Sequence, residues 1–158
     1  MRLTTRGRYA VTAMLDLALH DAEGPVPLVE IAGRQDISQA YLEQLFARLR
    51  RHGLVDSVRG PGGGYRLAQP PAAVSAASII AAVDESLDAT RCGGAGDCQD
   101  GEQCLTHDLW TDLSRHVHAF LDQVTLASLA ERAATTRIGQ RQDARAQHGQ
   151  TRISARIL

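Results

Sequence analysis

One short loop contains every cysteine of this 158-residue chain and constrains its fold more than any other feature. Cys92, Cys98 and Cys104 are spaced C-x5-C-x5-C, and His107 follows after two intervening residues. The residues between them are mostly glycine and polar, so burial of apolar side chains cannot order the loop. Three thiolates and one imidazole are a natural ligand set for zinc or for an iron–sulfur cluster. We therefore predict that Cys92, Cys98, Cys104 and His107 form a metal or cluster site.

The spacing leaves the kind of metal open. Structural zinc sites usually pair their ligands as C-x2-C or C-x4-C, whereas the gaps here are wider. Wider gaps modestly favour a 2Fe-2S cluster, because two irons each need two protein ligands and a histidine ligand has precedent. The alternative is three free cysteines on a mobile loop. The odd number of cysteines and the lack of a recognisable secretion signal argue against a disulfide framework.

Charge is distributed unevenly along the chain, although the formal net charge is only −1. Residues 1–66 carry a net charge of +2, residues 67–130 carry −7, and residues 131–158 carry +4. The cysteines therefore lie in an acidic middle part between a basic front and a basic tail. Asp16 interrupts the first apolar run, and no segment is apolar over the length of a membrane span. We expect a cytoplasmic protein without a membrane partner.

The first half of the chain has the pattern of a helix-turn-helix. Apolar periodicity predicts helices over residues 6–20, 28–34 and 39–52. Ser38 is a good N-cap for the third helix, and Gly53 is placed to end it. Two helices joined by a short turn, with the second one capped, are typical of a DNA-binding helix-turn-helix. An ordinary surface helix is the alternative interpretation of residues 39–52.

The segment after the third helix favours DNA binding over that alternative. Residues 54–59 and 65–67 alternate like strands around a glycine-rich turn at 60–64, which predicts a β-hairpin wing. Arg59 at the neck of this wing is placed to enter a minor groove. The side of the third helix opposite its apolar stripe carries groups that suit bases and phosphates. These residues are Ala40, Glu43, Gln44, Ala47 and Arg51, with Tyr41 and Arg48 at the edge.

The second half predicts helices over residues 75–85 and 105–123, with the cysteine loop between them. Apolar residues of the later helix are spaced by three and four positions, at Trp110, Leu113, Val117, Phe120 and Val124. Such a narrow seam suits pairing between two subunits, although a helix facing the core of one chain shows it too. From about residue 131 the sequence is polar and without periodicity, which predicts a disordered basic tail with nonspecific attraction to phosphates.

These observations predict a mainly α fold in three parts. Residues 1–70 are a winged helix-turn-helix DNA-binding domain, residues 71–130 hold the cluster-binding loop and a dimerisation helix, and residues 131–158 are the tail. Several motifs resemble the IscR family of iron–sulfur cluster regulators. They are MRLT at 1–4, GRYAV at 7–11, YLEQLF at 41–46, VRGPGGGY at 58–65, AVDES at 82–86, DATRC at 88–92 and the C-x5-C-x5-C-x2-H set. The resemblance extends over residues 1–130 and leaves out the tail.

The resemblance implies a homodimeric transcription factor that binds double-stranded DNA operators. It implies one 2Fe-2S cluster per subunit, held by Cys92, Cys98, Cys104 and His107, with the cluster-assembly scaffold as donor. The loaded form is expected to repress the operon for cluster assembly. The cluster-free form is expected to bind a second class of DNA sites.

The resemblance also carries over individual DNA contacts. It places Ser38, Tyr41 and Gln44 of the recognition helix, together with Arg59 of the wing, against DNA. Glu43 is implied to reject one class of sites when the cluster is absent, because an unpaired carboxylate buried in a groove is unfavourable.

Two positions depart from the family pattern. Asp36 stands where relatives usually have glycine in the turn, so we expect a left-handed residue and a small loss of stability. Ala40 stands where relatives often have serine, so one DNA contact is expected to be missing.

Three other functions compete with this interpretation. Nitric-oxide-sensing relatives of the same fold recruit a carboxylate near the amino end, where this chain has Arg6 and Arg8 and offers His107 instead. An iron–sulfur electron carrier or cluster-delivery protein would not need the winged domain. An enzyme is disfavoured, because no nucleophile–base pair or carboxylate dyad stands out in the sequence.

Overall fold

The computed structural model describes the backbone of residues 3–154, with the side chains of 3–132 and 135–147. Helix α1 (Thr5–His20) is followed by α2 (Leu28–Gln35), α3 (Gln39–Arg51) and a β-hairpin of β1 (Val55–Val58) and β2 (Gly64–Leu67). The second half contains α4 (Ala76–Ala82), α5 (His107–Gln123), α6 (Leu126–Ala130) and α7 (Ala133–Ser154). Single turns of 3-10 helix lie at Asp21–Glu23 and Pro71–Ala73. The mainly α fold with a winged helix-turn-helix is therefore confirmed.

The turn between α2 and α3 has the conformation expected from the sequence. Asp36 ends α2 with φ of 55°, in the left-handed region, and the Ile37 N–H donates to the Ala32 carbonyl at 3.2 Å. The Ser38 hydroxyl then accepts from the Tyr41 N–H at 3.3 Å and caps α3. The helix-turn-helix is thus fixed at both sides of its turn.

A core shared by α1, α2 and α3 supports this unit. The inner face of α3 is fully packed, and its buried residues are Leu42, Leu45, Phe46 and Leu49. Asp16 of α1 and Arg34 of α2 form a bidentate ion pair beneath the surface, with 1% and 8% of their side chains exposed. This pair fixes the position of α2 on α1.

The wing packs directly on the recognition helix. β1 and β2 are antiparallel, from Val55 opposite Leu67 to Val58 opposite Gly64. The ring of Tyr65 meets that of Phe46 edge to face at 4.9 Å, and the Tyr65 backbone pairs with that of Val26. Gly64 passes so close to this bridge that a Cβ atom would lie 2.4 Å from the Val26 carbonyl carbon. Glycine is therefore required there for the wing to keep its position.

Helix α4 is shorter than the sequence predicted. It ends at Ala82 because Asp84 takes a left-handed conformation with φ of 58°. The Asp84 N–H bonds the Ala81 carbonyl at 3.1 Å and the Glu85 N–H bonds the Ile80 carbonyl at 3.3 Å, as in a Schellman ending. The prediction that the helix continues to residue 85 was wrong by one turn.

Helix α5 packs along α4 and leaves much of its apolar seam exposed. Trp110 is 40% exposed, Leu113 is 39% exposed and Phe120 is 64% exposed. The chain then returns to α4, where the Leu126 N–H bonds the Val74 carbonyl at 2.9 Å. Much of the seam is therefore left uncovered within this chain, while Val117 and Val124 are half-buried.

The tail is helical where the sequence predicted disorder. Helix α7 covers Ala133–Ser154, and residues 155–158 of the predicted tail lie outside the described residues. Polar contacts hold it to α1 and α2: His20 Nε2 lies 3.0 Å from Asp143 Oδ1, and the amides of Gln35 and Gln142 exchange hydrogen bonds. An apolar periodicity does not reveal contacts of this kind, which explains the wrong prediction. Within residues 3–154 no helix is long and apolar enough to cross a membrane.

Candidate metal centre and nucleic-acid interface

The cysteine loop brings three of its four predicted ligands together at the start of α5. His107, the first residue of α5, is 7% exposed. Its Nδ1 atom lies 3.6 Å from Cys92 Sγ and 3.6 Å from Cys98 Sγ. The three ligand atoms lie within 4.8 Å of one another, which is compatible with a shared metal group.

Cys104 lies beside this group. Its backbone N–H donates to Cys98 Sγ at 3.0 Å, while its own Sγ lies 4.0 Å from Thr106 Oγ1. The sequence thus placed Cys104 in the right loop, and in the structure both its backbone N–H and its thiol interact with Cys98, although the thiol lies outside the group of three ligand atoms.

Backbone hydrogen bonds shape the loop around the sulfurs. Gly96 has φ of +79°, and its N–H donates to Cys92 Sγ at 3.3 Å. Farther along, the backbones of Gln99 and Glu102 pair at 2.8 and 3.0 Å and close a tight turn. This turn returns the chain toward Cys98, where the Cys104 N–H donates to the Cys98 sulfur.

These contacts alter the acidity of the thiols. The pKa of Cys92 is lowered to about 6, mainly by the hydrogen bond from the Gly96 N–H. The pKa of Cys104 is lowered, mainly through its hydrogen bond with the Cys98 thiol. For Cys98, the Cys104 N–H lowers the pKa, but interactions with the two other thiols outweigh it and the net shift is upward.

The donor set fits a soft metal or an iron–sulfur group. Thiolate is the form of cysteine that binds metal, and N–H groups aimed at sulfur stabilise it. A cavity of about 560 Å³ opens beside the thiols of Cys98 and Cys104. Its wall also includes Arg91 and Trp110. The centre is therefore reachable from solvent on that side.

Three residues that the sequence reasoning missed fasten the loop to α5. Asp88 Oδ1 accepts from the Thr90 N–H and hydroxyl, both at 2.6 Å. Ser114 Oγ accepts from the Ala89 N–H at 2.8 Å. The Asp-x-Thr pattern at 88–90 is typical of an Asx turn and was a usable signal for the first contact, whereas Ser114 is distant in sequence.

Most of the predicted DNA contacts are exposed to solvent. Ser38, Glu43 and Gln44 are exposed, and so is Arg59 just beyond β1. Tyr41 is half-buried, and its ring packs edge to face on that of Tyr9 at 6.0 Å.

Two of these side chains already have hydrogen-bond partners within the chain. The Glu43 carboxylate accepts from Gln39 Nε2 at 3.2 Å, and the Ser38 hydroxyl oxygen is engaged in the helix cap. The DNA roles of Ser38, Tyr41, Glu43, Gln44 and Arg59 stay predictions.

The end of α4 connects the recognition helix to the cysteine loop. Arg48 of α3 forms an ion pair with Asp84. The next residue, Glu85, accepts from the Thr4 N–H at 3.3 Å and from the Thr4 hydroxyl, at the start of α1. Residues that lead into the loop are thus tied to both α1 and α3. No local pattern in the sequence marks these contacts.

Comparison with known proteins agrees with this combination of elements. The family model described as "Rrf2: Iron-dependent Transcriptional regulator" matches residues 3–132. The HTH-type transcriptional regulator IscR of Vibrio cholerae is 59% identical over 143 residues, which cover 90% of this chain and 83% of that protein. IscR of Yersinia enterocolitica is 57% identical, with 90% and 87% covered.

Solved structures show the same fold. The global cysteine regulator CymR of B. subtilis has a TM-score of 0.72 at 36% identity, covering 82% of this chain and 96% of its own. T. potens IscR has a TM-score of 0.69 at 40% identity, covering 83% and 87%. The resemblance found in the sequence is confirmed, and these relatives are DNA-binding regulators rather than enzymes. This chain belongs to the Rrf2 family of iron-dependent transcriptional regulators.

Proposed function

We propose that this regulator is a cytoplasmic homodimer that senses the supply of iron–sulfur clusters through one bound 2Fe-2S cluster per subunit. The loaded form represses the operon for cluster assembly, and the cluster-free form binds a second class of operators. The observation that carries the proposal is the convergence of Cys92, Cys98 and His107 in a chain with a winged helix-turn-helix.

Cys92, Cys98 and His107 hold the cluster, and Cys104 completes the set. A 2Fe-2S cluster supplies a redox-active and chemically labile group whose loss reports on cluster supply. The Cys104 thiol already interacts with the Cys98 thiol, and the Cys104 N–H donates to Cys98 Sγ at 3.0 Å. The cavity beside Cys98 and Cys104 gives a cluster-assembly scaffold access to the thiols.

Two subunits pair along α5. Trp110, Leu113 and Phe120 expose apolar surface on one side of this helix. At the end of the seam, Phe120 and Val124 line an apolar cavity of about 380 Å³ between α5 and the helices α1, α4 and α6. A two-fold dimer buries the same surface on both subunits and places two recognition helices for two half-sites.

DNA is read by the exposed side of α3 and by the wing. Gln44 offers an amide to base edges, and Arg59 offers a guanidinium to a narrow minor groove. Glu43 disfavours one class of operators in the cluster-free form, because its carboxylate loses solvation there without gaining a partner.

The end of α4 transmits the state of the cluster to the reading surface. Ordering of the loop around the cluster acts on Asp84 and Glu85, which pair with Arg48 of the recognition helix and Thr4 of α1. The cluster shifts the position of α3 only by as much as its affinity differs between the two arrangements.

Anaerobic purification followed by iron and sulfide analysis tests the proposal. We expect equal amounts of iron and acid-labile sulfide with the visible absorption of a 2Fe-2S centre, and loss of all three when Cys92, Cys98 and Cys104 are replaced by Ala. Leu105→Ala is a matched control, because this neighbour is fully exposed in the same loop. Retention of iron and sulfide by the triple cysteine variant would show that the cluster is held elsewhere.

A further inference from the structure

We infer that Asp88 is a positioning residue for the metal centre, acting through Thr90 and together with Ser114 of α5. The inference rests on the proposed function, since it concerns how the chain holds the ligands that we assign to the cluster. Asp88 is not itself among those ligands; its carboxylate contacts Thr90 and Ser114 of α5 and lies close to Gly94.

Asp88 folds the start of the loop, because one of its carboxylate oxygens accepts two short hydrogen bonds. Its Oδ1 atom accepts from the Thr90 N–H and from the Thr90 hydroxyl, each at 2.6 Å. Because its hydroxyl hydrogen is committed to Asp88, Thr90 offers its oxygen as an acceptor, and the Gly94 N–H donates to it at 2.7 Å. The chain on both sides of Cys92 is thereby closed into a compact turn.

Ser114 fastens that turn to the helix that carries His107. Its hydroxyl donates to the Trp110 carbonyl at 2.7 Å, which fixes its oxygen as the acceptor for the Ala89 N–H at 2.8 Å. Ser114 lies about two turns after His107 on α5. The loop entry and the imidazole are therefore held on the same rigid helix.

This anchoring matters because the loop has little else to order it. The segment between Asp88 and His107 is almost entirely exposed, apart from half-buried side chains at the cysteines and their neighbours. Cys92 Sγ lies 3.6 Å from His107 Nδ1, across the loop. This distance depends on where the start of the loop, at residues 88–90, is fixed. Fixing the entry before the cluster binds lowers the conformational entropy that is lost on binding.

The chain offers variants that separate geometry from charge. Asp88→Ala removes both hydrogen bonds to Thr90 and the contact with Ser114, whereas Asp88→Asn keeps an Oδ1 acceptor for them and removes the charge. Asp97→Asn is a matched control, because it removes an exposed carboxylate beside Cys98 in the same loop. Ser114→Ala removes the anchor on α5 without touching the loop.

Amide hydrogen exchange on cluster-free protein provides a readout that needs no cluster. Asp88→Ala and Ser114→Ala should each increase exchange across residues 88–96 several-fold and leave α3 unchanged, whereas Asp88→Asn and Asp97→Asn should match wild type. Unchanged exchange at residues 88–96 in both Asp88→Ala and Ser114→Ala would overturn the inference.

Chelator-driven loss of the reconstituted cluster provides the second readout. Removal of an outer hydrogen-bonding partner typically lowers metal affinity about 10–100-fold, so Asp88→Ala should lose its cluster about tenfold faster, with Asp88→Asn close to wild type. Equal loss from Asp88→Asn and Asp88→Ala would show that charge, and not position, is responsible, and would refute the inference. If wild type takes up no iron or sulfide, the proposed function fails. If wild type and Asp97→Asn both hold the cluster, and Asp88→Ala loses its cluster no faster than wild type does, only this inference fails.

Discussion

Phe120→Ala removes the most exposed aromatic side chain of the α5 seam and should weaken the proposed dimer strongly. Full burial of a phenylalanine side chain contributes about 1.5–3 kcal/mol, and 64% of this side chain is exposed in one chain. Each subunit therefore has about 1–2 kcal/mol to gain from burying it in the interface. Two-fold symmetry doubles this to about 2–4 kcal/mol, which corresponds to an increase in the dimer Kd of about thirtyfold to several-hundredfold.

Sedimentation equilibrium over a range of concentrations measures that Kd directly. Val29→Ala is the control, because Val29 is an apolar residue of α2 that is 58% exposed and lies outside the seam. Thermal unfolding of both variants establishes that the fold is kept. A folded Phe120→Ala protein with the dimer Kd of wild type would refute pairing along α5.

Four further predictions concern the cluster and the DNA-binding surface. His107→Cys should keep a cluster and lower its reduction potential, because thiolate donates more charge than imidazole; a protein-film voltammogram with an unchanged or higher potential would contradict this. Gln44→Ala and Arg59→Ala should each weaken binding to a specific operator by about 1–3 kcal/mol and affect random DNA much less in fluorescence titrations. Glu43→Ala should let the cluster-free protein bind the operator class reserved for the loaded form, and unchanged discrimination in gel shifts would place selectivity elsewhere. Replacement of the exposed arginines of α7 by Gln should weaken binding to all DNA. The slope of log binding constant against log salt concentration should become shallower by about 0.9 for each phosphate that is no longer neutralised. Among the side chains that the structure describes, these arginines are Arg137, Arg141 and Arg145.

The winged helix-turn-helix was predictable because the signals that define it are local in sequence. The apolar periodicity of α3, its cap at Ser38 and the glycine that follows it are all adjacent in sequence, and the helix bounds agree within one residue. The hairpin was likewise marked by its glycine-rich turn. Asp36 adopts the left-handed conformation expected from its place between α2 and α3.

Features that depend on contacts between distant residues were missed or wrong. Helix α7 is held through polar side chains such as Asp143, which pairs with His20 of α1. Its sequence therefore has no apolar periodicity that would predict a helix. The sequence placed Cys104 in the ligand set but could not show that its thiol lies outside the group formed by Cys92, Cys98 and His107. The anchor between Ala89 and Ser114 joins a loop to a helix and likewise has no local pattern.

The central claim is that the cysteine centre controls which DNA the winged domain binds. Anaerobic fluorescence anisotropy tests it most directly, with loaded wild type and the triple Cys→Ala variant titrated against two DNA fragments. One fragment carries the promoter of the cluster-assembly operon, and the other is selected for binding by cluster-free protein. We predict that only loaded wild type binds the promoter tightly, while both proteins bind the selected fragment with similar affinity. Equally tight binding of the promoter by the folded cysteine variant would contradict the account.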